Sequence, residues 1–373
     1  MKQAILIDTI EKMNEFRQTI AGESIVALDT EFHSEKRYFP ELMLLQIAND
    51  KGDVWIIDPL KVPLAPLGKA MRHLTIVTHG GDQDISILDR NLELRPSVLF
   101  DTQIAAGFLG LHYPMGLDRL LHTRLGIEIS KNETMADWST RPLHQKQLEY
   151  AANDVRNLLA LYTNLKTELE EKNRLEWVLQ CCTEMMDTQL RPEPVGLSWL
   201  HWGVAETLDL DAQRVLANLL EWRDEIAQKK DQSPNYLLPK NSLLHIAKSK
   251  PTHLQAIQNR SVHPAFLQKY GKELIKVVQE GLQDTDVFEI PSAESKKRNS
   301  IIRMWLKIYG EEIGISEDLL LSSKISHQVN FQGLDAIQGW RRELYLLPLQ
   351  DFLQGKTGIF CENDTIVLKP AQS

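Results

Sequence analysis

The chain has 373 residues, 43% hydrophobic and 25% charged, with a formal net charge of −9. That length allows two or three domains with real cores. There is no run of 18 apolar residues to span a membrane, and three cysteines (Cys181, Cys182, Cys361) make neither a disulfide framework nor a metal-ligand pattern.

The N-terminal residues lack the long apolar segment of a secretory signal, so a cytoplasmic protein in a reducing compartment is expected. Ile5-Leu6-Ile7 is a short strand candidate, and Asp8 or Thr9 can cap the helix that Ile10, Met13, Phe16 and Ile20 mark by spacing. Ile25-Val26-Ala27-Leu28 reads as a strand buried on both faces. It runs into Asp29-Thr30-Glu31. Leu42 to Ala48 and Val54 to Ile57 are two further strands, and short turns between the three suggest an antiparallel meander. A helix over Leu64–Met71, a strand at Thr75–Thr78 broken by His79-Gly80-Gly81, a helix through Ile85, Leu88 and Leu92, and a strand Val98–Phe100 follow. The order β-β-β-α-β-α-β-α predicts a mixed sheet with helices on its faces. Leu148, Ala151, Ala152, Val155, Leu158, Leu159, Tyr162 and Leu165 form one stripe, predicting a single helix to about Leu169. Residues 171–208 read as a linker, and from Asp209 onward the pattern is helical, first over 209–290 and then over 300–373.

The charge is uneven. Residues 1–208 carry 30 acidic and 21 basic side chains, and the rest carries 21 of each. An acidic N-terminal half repels phosphates unless cations sit in its site. Asp29 and Glu31 lie two apart on extended chain and so point the same way. Two like charges at the end of a core strand are costly to bury unpaired, and a hard divalent cation with oxygen ligands relieves that. The alternative is a helix cap at Asp29 or Thr30. Asp84 follows the glycine turn, where it would face the sheet's edge or simply cap a helix. Tyr150 and Asp154, four apart and about 6 Å along the axis, share a helix face that could be aimed at the first pair or could be a solvated boundary.

Taken together, Asp29, Glu31, Asp84 and Asp154 with Tyr150 resemble the DEDD exonuclease superfamily. The Tyr-x-x-x-Asp spacing is that of its DEDDy branch. Ala27 to Phe32, Leu45-Gln46-Ile47, Ile57 to Leu60, His79 to Asp84, Asp101-Thr102-Gln103, Asp137-Trp138, Arg141-Pro142-Leu143 and Tyr150 to Asp154 are similar to the ribonuclease D family, over about residues 1–170. Leu219 to Arg223, Leu238-Pro239, Leu243 to Ala247 and Tyr270-Gly271 are similar to the HRDC domain, a helical nucleic-acid-binding module. Gly339-Trp340-Arg341 suggests a second, divergent copy.

The resemblance implies an α/β, RNase H-like mixed sheet with flanking helices over 1–170, then one or two small all-α HRDC domains (209–290 and 300–373). It implies a metal-dependent 3′→5′ exoribonuclease that releases 5′-mononucleotides, with the 3′ trailer of precursor tRNA as substrate. Asp29, Glu31, Asp84 and Asp154 would hold two divalent ions, Mg²⁺ or Mn²⁺. Tyr150 would orient the attacking water and help deprotonate it. His79 and Gln83 are candidate contacts to the terminal nucleotide, as is Thr30, and Phe32 could stack on or wedge against a base. A monomer with no nucleotide cofactor is expected. Two other classes remain open: a DNA 3′→5′ exonuclease of the proofreading type, since no residue here reads the 2′-hydroxyl unambiguously, and a non-catalytic nucleic-acid-binding protein.

Overall fold

The computed structural model describes residues 2–129, 136–257, 262–363 and 365–371. The chain divides into two compact units, each discontinuous in sequence. The first comprises Met1–Phe32, Leu42–Arg191 and Ala293–Ser373. The second comprises His33–Glu41 and Pro192–Ser292.

The first unit begins with β1 (Ile5–Ile7), α1 (Ile10–Ile20), β2 (Ile25–His33), β3 (Glu41–Ala48) and β4 (Val54–Ile57). It continues through α2 (Ala65–Met71), β5 (Thr75–Thr78), α3 (Asp82–Leu92), β6 (Val98–Asp101), α4 (Thr102–Phe108) and α5 (Leu117–Leu125). Then come α6 (Gln145–Arg156), α7 (Leu158–Glu171) and α8 (Leu175–Leu190). The six strands are ordered β1-β4-β3-β2-β5-β6. β3 runs antiparallel to β4, while β1 and β4, β2 and β5, and β5 and β6 are parallel pairs. The mixed sheet is the one the apolar runs predict. Every residue of β3 from Leu42 to Ala48 is buried, which explains a run with no polar alternation. The first helix is capped as expected, with the Thr9 side chain accepting from the Lys12 N–H.

Two local expectations change. The helix predicted over 148–169 is two helices, α6 and α7, divided at Asn157, whose backbone (φ −106°, ψ 0°) leaves helical geometry. Asn tolerates such a break better than the aliphatic residues around it. The segment expected as a linker from residue 171 carries α8, which buries Val178, Cys181 and Cys182. The Cys182 sulfur also accepts the Asp101 backbone N–H at 3.2 Å. α8 therefore belongs to the packed body of this unit.

The C-terminal segment completes the same core. It contains α13 (Ala293–Ile313), α14 (Glu317–Leu320), α15 (Ser323–Gln332), α16 (Gly339–Arg341) with a π-type turn after it, and α17 (Leu347–Leu353); the numbers α9–α12 belong to the second unit, below. Trp305, Leu320, Trp340 and Tyr345 join one hydrophobic cluster with Leu28, Phe100 and Phe108 of the sheet and its helices. Trp340 stacks on Trp177 (centroids 5.7 Å, 22° between planes) and meets Phe108 edge-on at 5.0 Å. Arg341, 3% exposed, pairs with Glu184 at 2.8 Å and donates to the Leu319 carbonyl. Residues 300–373 are also not all helical: β7 (Thr357–Glu362) and β8 (Thr365–Pro370) form an antiparallel hairpin. The expectation of a separate, all-α block over 300–373 is therefore corrected: the segment carries a hairpin and closes the core of the first unit.

Among the described residues of the second unit, the regular structure outside the residue 33–41 segment is helical. α9 (Leu210–Lys230), α10 (Pro234–Leu237), α11 (Lys240–Ser249) and α12 (Pro264–Gln283) surround Trp199, Leu216, Leu220, Leu243, Ile246 and Leu274. The segment His33–Glu41 is bound to α9: Tyr38 donates to Asp224 at 3.0 Å, Arg37 pairs with Asp231 at 2.7 Å, and the Phe39 N–H donates to Asp231 at 2.9 Å.

Candidate active site

β2 delivers Asp29 and Glu31 on one face, and α6 brings in Asp154. Each of the three offers a carboxylate oxygen, and these oxygens all lie within 4.8 Å of one another. Asp84 borders the group, and its charge raises the pKa values of both Asp29 and Glu31. The sequence leaves each carboxylate with a bland alternative, and the geometry removes two of them. β2 stays extended through His33, so Asp29 and Thr30 start no helix. Gly81 is the cap residue of α3, without a side-chain bond, which leaves Asp84 buried in the first turn.

Crowding four carboxylates in a partly closed site is electrostatically costly. Burial, and then the charges of Asp84, Asp154 and Glu31, push Asp29 well above the usual carboxylate range. Burial and the charges of Asp154 and Asp84 push Glu31 up to about 8. Burial alone raises Asp154 to about 7. Asp84 rises to about 6, burial outweighing a hydrogen bond from Thr30 that favours the charged form. An all-oxygen donor set with this stored repulsion fits hard divalent cations.

The turn that presents Asp84 is built by Asp101, to which the sequence assigned no site role. Its carboxylate is fully buried and accepts from the Thr78 hydroxyl (3.1 Å), the Gly81 N–H (2.9 Å) and the first N–H groups of α4 (2.8 and 3.1 Å). A Cβ on Gly81 would lie 2.7–3.0 Å from the Thr78 side chain, and Gly80 has φ +65°; both positions therefore require glycine. An aspartate at the junction of β6 and α4 is the one signal that could have pointed to it.

Tyr150 is half-buried one turn before Asp154, its ring 6.0 Å from that of Trp138. The loop holding Trp138 is anchored by Arg141, which grips buried Asp58 (2.6 and 2.9 Å) and donates to the carbonyls of Met43 and Trp138. Of the other expected contacts, Gln83 is exposed on α3 and Phe32 is half-buried against the core. The Thr30 hydroxyl is buried and donates to Asp84. Both His79 ring nitrogens are engaged inside the protein, with Thr102 Oγ1 at 3.0 Å and the Met115 carbonyl at 2.9 Å, and burial lowers its pKa.

A sheet with this acidic cluster at its edge defines a class of nuclease. The profile of the 3′-5′ exonuclease family matches residues 4–170, and that of the HRDC domain matches 212–278. Ribonuclease D of Granulibacter bethesdensis is 32% identical over 95% of this chain and 93% of its own length, and that of Gluconacetobacter diazotrophicus is 31% identical over 91% and 90%. The crystal structure of Escherichia coli RNase D, described as an exoribonuclease involved in structured RNA processing, superposes with a TM-score of 0.85 at 25% identity. That match covers 95% of this chain and 99% of the other. The chain belongs to the ribonuclease D family of 3′→5′ exoribonucleases. No described helix is long and apolar enough to cross a membrane.

Proposed function

We propose that the chain removes 5′-mononucleotides one at a time from RNA 3′ ends at the Asp29, Glu31, Asp84 and Asp154 cluster. Its substrate would be the 3′ trailer of precursor tRNA. The observation that carries this reading is the convergence of three carboxylate oxygens within 4.8 Å, with Asp84 beside them. Two divalent cations, Mg²⁺ or Mn²⁺, would supply positive charge to the attacking and leaving oxygens of the phosphodiester. The four carboxylates hold that charge in place. The tyrosine hydroxyl, one helical turn from Asp154, orients the attacking water and assists loss of its proton. It does not act as a base alone, because an ordinary tyrosine is too weakly ionised near neutral pH. Trp138, packed on the Tyr150 ring and held by the Asp58–Arg141 pair, fixes the ring's direction. Phe32 and Gln83 contact the terminal nucleotide, whereas Thr30 and His79 act through their neighbours, Thr30 by orienting Asp84 and His79 by propping the glycine turn. A monomeric, cytoplasmic enzyme without a nucleotide cofactor completes the reading.

Two substitutions on α6 test it. Asp154→Asn keeps the size but removes a charge, so activity should fall by several orders of magnitude and Mn²⁺ should bind more weakly by calorimetry. Tyr150→Phe should lower the single-turnover rate about 10²–10⁴-fold with little change in Mn²⁺ or RNA affinity. Endonucleolytic fragments, or full activity in excess chelator, would refute the reading. A Tyr150→Phe enzyme at wild-type rate would reduce Tyr150 to a packing residue. Single-stranded DNA of matched sequence, cut as fast as RNA, would favour the DNA exonuclease.

A further inference from the structure

The strand that carries Asp29 and Glu31 continues beyond the unit that holds the site. β2 runs on to His33, its neighbour β3 begins at Glu41, and the connection His33–Glu41 belongs to the compact second unit. Ser34 to Arg37 are exposed, as in an ordinary surface loop. Yet Lys36, Arg37, Tyr38 and Phe39 are each bonded to the C-terminal end of α9 or the turn after it. The Lys36 carbonyl accepts the Ser233 N–H at 2.9 Å. Tyr38 donates to Asp224 at 3.0 Å and accepts from the Gln228 amide at 3.1 Å. Asp231 takes the Phe39 N–H at 2.9 Å on one carboxylate oxygen and the Arg37 guanidinium at 2.7 Å on the other. The Phe39 N–H, and then Arg37, hold the Asp231 carboxyl below its usual range. Arg37 in turn pairs with Glu41, the first residue of β3.

Packing of the second unit does not explain this grip. Its apolar core contains no residue of 33–41. What the grip does fix is the far end of the strand. Glu31 lies two residues before His33, and the covalent chain passes a displacement of the connection directly to Glu31 and Phe32. There is a force to resist. Glu31 is crowded by the charges of Asp154 and Asp84, and like charges this close push one another apart. A loose strand end would relieve that repulsion by carrying Glu31 out of the cluster.

Resting on the exoribonuclease reading, we propose that Asp231 and Tyr38 are positioning residues for cleavage: by clamping the connection after β2 to the end of α9, they hold Glu31 in the carboxylate cluster and Phe32 beside it. The second unit thus acts on the site through the chain itself, independently of any RNA it holds.

The test uses the full chain and three variants. Asp231 caps α9 in the left-handed conformation (φ +47°), which glycine adopts freely, so D231G keeps the cap and deletes both bonds. D231N keeps the cap and an acceptor for the Phe39 N–H, and Y38F removes only the hydroxyl. Without metal, hydrogen exchange in peptides of β2 should be faster in D231G, while α11 and α12 stay at wild type. Mn²⁺ affinity, measured by calorimetry, should fall. On a short unstructured oligoribonucleotide in Mg²⁺, kcat should fall about 10–100-fold with KM nearly constant, since misplacing a positioned group by about 1 Å can cost about 100-fold. D231N should recover part of each loss, and Y38F should show the same changes to a smaller degree. Wild-type β2 exchange and Mn²⁺ affinity in both D231G and Y38F overturn the proposal. So does a raised KM at unchanged kcat, which would place the segment in substrate binding, or faster exchange throughout α11 and α12 in both variants, which would make the bonds merely structural. Failure of the wild-type chain to cut the oligoribonucleotide overturns the exoribonuclease reading instead, and the exchange and Mn²⁺ comparisons still decide the clamp.

Discussion

The two Trp-Arg pairs of this chain look like one motif used twice, yet they do different work. Trp222 and Arg223 serve the second unit alone: Trp222 packs against Phe266 and Tyr270, and Arg223 donates to the Leu238 carbonyl and the Asn235 side chain. Trp340 and Arg341 are buried more deeply and face the sheet-bearing body, against Trp177, Phe108 and Glu184. A shared sequence pattern thus reports an interior anchor and its arginine strut. It does not report what the anchor is fastened to. The difference is a matter of neighbours: α8, with its buried Cys181 and Cys182, gives Trp340 a surface to join, while Trp222 has a self-sufficient cluster around Leu216 and Leu243.

The sharpest way to break this contrast is to truncate both anchors. Removing a buried tryptophan costs about 3–5 kcal/mol. Trp340→Ala should accelerate hydrogen exchange in peptides of β6, α4 and α8 and lower exonuclease activity. Trp222→Ala should accelerate it in α9, α11 and α12 only. Equal exchange in both sets of peptides would make the two blocks equivalent after all.

A second, intermediate effect separates the units by pH. Asp84, Asp154 and Glu31 have folded pKa values raised to about 6, 7 and 8. Their unfolded counterparts ionise near 4. The folded state therefore holds protons that the unfolded state has released, and stability present below about pH 4 is lost as pH rises toward 8. In chelator, peptides of β2 and α6 should exchange faster as pH rises over that window, after correction for intrinsic exchange. Mn²⁺ should suppress the trend, and peptides of α9 should not show it. A chelated protein whose β2 and α6 were indifferent to pH would contradict the crowding argument.

The smallest effect concerns a single hydroxyl. Thr30→Val removes the bond to Asp84 and leaves a carboxylate less firmly oriented. A hydrogen bond to a charged group is worth about 1.5–3 kcal/mol, so Mn²⁺ affinity should fall about 10–100-fold. Thr30→Ser should restore most of it. If valine and serine behaved alike, the hydroxyl would have no part in holding Asp84.

Much of the nuclease half was legible because its signals are local. An apolar run ending in Asp29 and Glu31 obeys the two-residue period of a strand, and a glycine turn before Asp84 needs no distant partner to be noticed. Asp101 escaped because its role depends on what folds back onto it, namely the Thr78 hydroxyl and the Gly81 amide, some twenty residues upstream. The Asp58–Arg141 pair spans 83 residues and is invisible to any periodicity. The hairpin at Thr357–Pro370 was missed in a stretch read as helical, where two six-residue strands leave little alternation to detect. Asn157 sits inside an unbroken apolar stripe, so the stripe hid the break between α6 and α7.

The discontinuity of the first unit has a consequence for the order in which the enzyme is made. Arg174 binds the Gly314 carbonyl across 140 residues of sequence, and Arg341 binds Glu184 across 157. On a ribosome, the sheet and its acidic cluster emerge well before Trp340 can cover Phe108 and Trp177. A nascent chain therefore carries its cutting residues with an open flank until the segment Ala293–Ser373, which belongs to the same compact unit, emerges to close it.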